Sequence, residues 1–80
     1  MELVLEILTG KLFHVQIEQN ATVKELKKKI AMQEALPEHR LILVLRSGPL
    51  MKEDQFSLAD YGVKEGSQIY VFFTANDGTV

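Results

Sequence analysis

Only one stretch of this 80-residue chain has the pattern of an amphipathic helix, which limits the fold to a sheet covered from one side. The stretch opens at Thr22-Val23-Lys24-Glu25, a capping box in which the Thr22 hydroxyl accepts from the third-residue N–H while Glu25 reaches back. Val23, Leu26 and Ile30 follow at i, i+3 and i+7, one apolar stripe on a helix running to about Glu34. Lys24, Lys27, Lys28 and Lys29 fill the other side, and Pro37 stops any continuation.

The rest of the chain alternates with the period of strands. Leu3, Leu5 and Ile7 alternate with Glu2, Val4 and Glu6, and Phe13, Val15 and Ile17 alternate with Leu12, His14 and Gln16. Leu8-Thr9-Gly10 is the turn between these two runs, which share a parity and so direct their apolar sets to one face. Beyond the helix, Arg40 to Arg46 is strand-like, Ser47-Gly48-Pro49 is a turn, and Leu50-Met51 reads as a very short strand. Phe56 to Gly62 reads as a single helical turn ended by glycine, and Gln68 to Phe73 as the last strand. The order β-β-α-β-β predicts an α+β domain. Its expected core is Leu3, Leu5, Phe13, Val15 and Ile17 from the hairpin, Val23, Leu26 and Ile30 from the helix, and Leu41, Leu43, Leu58, Val63, Ile69 and Val71. Residues 1–73 form the expected domain, and the polar segment 74–80, with its Asn76-Asp77-Gly78 turn signal, reads as a flexible tail or linker.

Composition narrows the function. The absence of cysteine excludes disulfides and thiolate metal sites, and a net charge of −2 argues against nucleic acid as the main partner. The longest apolar run, Leu41 to Leu45, is far short of the ~20 residues that span a bilayer, and Met1 to Glu6 lacks the basic start of a signal peptide. No membrane association is expected, and the setting is cytoplasmic or nuclear. Neither His14 nor His39 has ligand spacing or a nucleophile beside it, so no metal and no catalytic residue is assigned. Gly48 and Gly66 are isolated turn residues rather than a phosphate loop, and no cofactor is implied. The lysine run could meet an acidic partner, but a solvated helix face is its ordinary meaning, and no aromatic residue sits among the lysines for base stacking.

The strongest functional signal is an excess of apolar residues. Leu41, Leu43 and Leu45 interleave with Ile42 and Val44; Ile69, Val71 and Phe73 interleave with Tyr70 and Phe72. With one helix, one parity is covered and the other faces water, and an exposed contiguous apolar patch on a small domain marks a binding site.

These residues, in this order, resemble ubiquitin and its ubiquitin-like relatives from Met1 through Phe73. The resemblance is carried by Leu8-Thr9-Gly10-Lys11, the Thr22-started helix with Lys27, Lys29 and Ile30, the Pro37 after it, Arg40-Leu41-Ile42, and Leu58-Ala59-Asp60-Tyr61. It implies a β-grasp fold: a mixed sheet of four to five strands with one helix on one face, and the last strand central and parallel to the first. It places the family's main partner-binding patch on Leu8, Ile42 and Phe72, with Tyr70 at its histidine position, and a smaller second patch on Val4 with Leu12. Candidate acceptor lysines are Lys11, Lys27 and Lys29. Implied partners are ubiquitin-binding helices or small helical domains and proteins of the proteasome or conjugation pathways, met by a monomer. The stretch from Phe73 to Val80 lacks the Leu-Arg-Leu-Arg-Gly-Gly tail of a conjugation donor, and Ala35 stands where the family has a helix-capping glycine. The expectation is therefore a non-catalytic interaction domain. Two alternatives accompany it: the first domain of a tandem modifier such as the interferon-induced two-domain ubiquitin-like modifier, and a β-grasp GTPase-binding domain that uses an edge strand and the basic helix face.

Overall fold

A computed structural model describes residues 1–74. Strands β1 (Glu2–Ile7) and β2 (Leu12–Gln16) form the antiparallel hairpin. Helix α1 (Val23–Glu34), a 3-10 turn (Glu38–Arg40), β3 (Leu41–Leu45), a second 3-10 turn (Leu58–Tyr61) and β4 (Gln68–Phe73) follow. The sheet order is β2-β1-β4-β3, with β4 parallel to β1 and antiparallel to β3. This is the four-stranded mixed sheet with one helix expected of a ubiquitin-like β-grasp.

Local chemistry sets the boundaries. Gly10 takes φ 94, a conformation open to glycine, and its N–H donates to Ile7 O at 2.8 Å to close the hairpin. Both halves of the Thr22/Glu25 capping box form, at 3.2 and 2.8 Å. Two further N–H groups of the first helical turn, those of Val23 and Lys24, donate to Phe56 O and Asp54 O at 3.0 Å, so the loop before the second 3-10 turn completes the cap. At the other end Ala35 adopts φ 56, ψ 47, and the Leu36 N–H returns to Ala31 O at 3.0 Å.

The core lies between α1 and the odd-numbered face of the sheet. Leu3, Leu5, Leu26, Ile30, Leu43, Leu58 and Ile69 are fully buried, and no polar or charged residue is buried among the described residues. Three members were not foreseen: Ala21, Leu45 and Met51. Met51 is drawn in because its N–H donates to Leu43 O at 2.9 Å while Leu50 makes an isolated bridge to Val44, so the short segment expected to be a strand is a single bridge along β3. Ile17, expected in the core, is only partly buried. It follows the last residue of β2, the edge strand of the sheet, where its N–H donates to Met1 O at 2.9 Å.

Of the segment 74–80 expected to be a tail, Thr74 exchanges bonds with Arg40: its N–H donates to Arg40 O at 2.9 Å, and Arg40 Nη2 donates to Thr74 O at 2.8 Å. Residues 75–80 lie outside the described residues.

Candidate functional site

Strand parity places the even-numbered side chains on the sheet face turned away from α1. Across β4 and β3, Tyr70 pairs with Val44 and Phe72 with Ile42. All four are half-buried. The Tyr70 and Phe72 rings lie 6.5 Å apart at 54°, a tilted pair that widens the apolar surface. Leu8, in the hairpin turn beyond Ile7, is 67% exposed at the upper border. Glu6, Ile7, Leu8, Tyr70, Val71 and Phe72 line a shallow depression of about 240 Å3 there.

The register thus brings Ile42, Tyr70 and Phe72 together, with Leu8 at their edge. It also adds Val44, directly opposite Tyr70, which the resemblance to Arg40-Leu41-Ile42 had not singled out. The alternation within β3 was the available signal for it, because Val44 shares its parity with Ile42. The second group, Val4 and Leu12, sits on β1 and β2 as a diagonal pair: Val4 opposes His14, and Leu12, 57% exposed, opposes Glu6.

A polar chain separates the two apolar groups. Arg46 Nη1 donates to Gln68 Oε1 at 2.7 Å, and Gln68 Nε2 donates to Glu6 Oε1 at 3.1 Å. This side-chain ladder runs from the end of β3 over β4 to β1. Beside it, His14 Nδ1 lies 3.2 Å from Glu2 Oε2 on the exposed surface of the hairpin.

The three candidate acceptor lysines differ in access. Lys27 Nζ is held 2.9 Å from Asp54 Oδ1 with only 16% of its side chain exposed. Lys11 Nζ is bonded to Glu34 Oε1 at 2.9 Å, and Lys29 is exposed. The Lys11 hydrogen bond holds the Glu34 carboxyl below its ordinary value of 4.5; some loss of hydration opposes this, and the bond from Gln33 adds to the lowering. Because Asp54 occupies Lys27, the free basic surface of α1 is Lys24, Lys28 and Lys29 rather than the whole run. Among the described residues no group of three His, Asp or Glu side chains is placed to hold a metal ion, and no helix is long and apolar enough to cross a membrane.

Comparison with known proteins supplies the family. The model of the ubiquitin family matches residues 3–76. Among solved structures, the chain is similar to the ubiquitin-like domain of an Arabidopsis thaliana protein, with a TM-score of 0.86 and 30% identity over 100% of this chain and 83% of that one.

Proposed function

Since the chain belongs to the ubiquitin family, we propose that it is a non-catalytic protein-interaction domain whose partner surface is the outer face of β3 and β4. One observation carries this reading. Ile42, Val44, Tyr70 and Phe72 stand in register on neighbouring strands, on the face that the single helix leaves open, with Leu8 beside them. A surface of this kind offers apolar area to a helix that lays its own apolar face across the sheet. The partners it fits are short helices or small helical domains that recognise ubiquitin-like folds, in the cytoplasm or nucleus. A patch this small gives weak affinity by itself, and membership of a longer or tandem chain raises it by avidity.

The experiment is binding to immobilised helical ubiquitin-binding domains, run alongside thermal unfolding of each variant. Phe72→Asp and Ile42→Ala are expected to abolish binding while leaving the unfolding transition near that of the parent. A variant that unfolds the domain would assign its residue to the core. Retained binding by folded Phe72→Asp would remove the patch from consideration.

A further inference from the structure

The border of this patch carries two charges of opposite sign, fixed in place by one amide. Gln68 accepts from Arg46 Nη1 through its oxygen at 2.7 Å and donates to Glu6 through its nitrogen at 3.1 Å. An amide has its acceptor and donor at opposite ends, so these two bonds set its orientation and tether a cation and an anion on either side of it. The two charges are held no more than about 8 Å apart, roughly one and a half turns of a helix. They do not touch, so each remains able to pair with a partner.

The surroundings extend the polarity. Around Arg46 and Gln68 an open groove of about 620 Å3 also includes Lys64 in its lining. On the other side Glu6 lines the smaller depression with Leu8, Tyr70 and Phe72, and Glu2 lies further along β1. One border of the apolar surface therefore runs from a basic end beside β3, across Gln68, to an acidic end on β1, with Val44 and Tyr70 next to it.

Resting on the interaction reading above, we propose that the occupant of this surface is a bipolar amphipathic helix. It carries a carboxylate that meets Arg46 and a Lys or Arg that meets Glu6, with apolar anchors that reach Tyr70 and Val44 beside that polar line. The charge arrangement is what selects it. A uniformly acidic helix meets Glu6 with like charge, and a uniformly basic one meets Arg46 with like charge. The separation of Glu6 from Arg46 is shorter than the i, i+7 spacing of a helix face, about 10.5 Å, and so within reach of long side chains at those positions.

Three synthetic helical peptides test this. They share apolar anchors at i+3 and i+4 and differ only at i and i+7, which carry Glu and Lys, Glu and Glu, or Lys and Lys. Reversing a helix end for end leaves the comparison unchanged, because only the mixture of signs is varied. Titrations followed by the amide resonances of Tyr70 and Phe72 should show the mixed peptide binding about three- to tenfold tighter than either single-sign peptide, the range of one or two exposed ion pairs. Glu6→Lys should transfer the preference to the Glu/Glu peptide, and Arg46→Glu to the Lys/Lys peptide. The double exchange, Glu6→Lys with Arg46→Glu, should restore it to the mixed one. In about 0.5 M NaCl the preference should disappear while apolar binding persists. Equal binding of all three peptides, or tightest binding of Glu/Glu to the parent, overturns the bipolar partner and leaves the patch standing. If no peptide shifts the Tyr70 and Phe72 resonances, the patch itself is refuted, and this inference with it.

Discussion

Replacing Ala35 by glycine should stabilise the domain. Ala35 ends α1 in the left-handed region at φ 56, ψ 47, is exposed to solvent, and is the one residue other than glycine with positive φ among the described residues. An L-residue pays roughly 1–2 kcal/mol to occupy that region, through the approach of its Cβ to the backbone. Glycine removes this strain but also loosens the unfolded chain, which returns about 0.4–1 kcal/mol of the gain. The net effect of Ala35→Gly is about 0.5–1 kcal/mol of added stability. For a domain of this size that raises the thermal midpoint by about 3–6 °C. The assay is thermal and urea unfolding by circular dichroism, with the urea m-value as a check that the unfolded reference is comparable. Ala35→Val supplies the opposite arm, because a β-branched residue is still less tolerant of positive φ and should lower the midpoint. A midpoint that falls or stays fixed in Ala35→Gly would refute the reasoning. It would mean that the left-handed cap is not under strain.

Two further outcomes follow from the charged contacts. The Glu34 carboxyl is held below 4.5 chiefly by Lys11, so the pair's contribution to stability is present above that pH and is lost as pH falls through the lower folded value. An NMR titration should place Glu34 below 4.5 in the parent and shift it upward in Lys11→Gln; an unchanged midpoint would remove Lys11 as the cause. Limited acylation with a lysine-reactive ester, followed by mass spectrometry, should modify Lys24, Lys28 and Lys29 before Lys27, because Lys27 is mostly covered and paired with Asp54. Equal rates would show that the ion pair does not protect it.

The elements that could be read from the sequence were those specified by neighbours in the chain. The Thr22/Glu25 box fixes the start of α1 by contacts across three residues, and the alternation in 68–73 marks β4 without reference to any other strand. What escaped depends on residues that meet from far apart. Met51 has no periodic partner in its own segment and is buried only because its backbone joins Leu43. The alternation in β3 already turned Val44 to the open face with Ile42; only the cross-strand register supplies its place directly opposite Tyr70. The Arg46–Gln68–Glu6 chain likewise draws on three strands, and none of the three residues has an unusual sequence context. Lys27 shows the same limit from the other side. A run of lysines looks uniform until the loop carrying Asp54 takes one of them.

The position of β4 between β1 and β3 has a consequence for synthesis. Until the ribosome has released the chain through Phe73, β1 lacks its parallel neighbour and β3 has no strand to join. The sheet closes through contacts between the first and last strands, so assembly is a late, non-local event rather than a progressive one. The patch is subject to the same timing, since Tyr70 and Phe72 arrive on the strand that completes the fold. A nascent chain can form its hairpin and nucleate its helix, but it gains a partner surface only in the step that also buries its core.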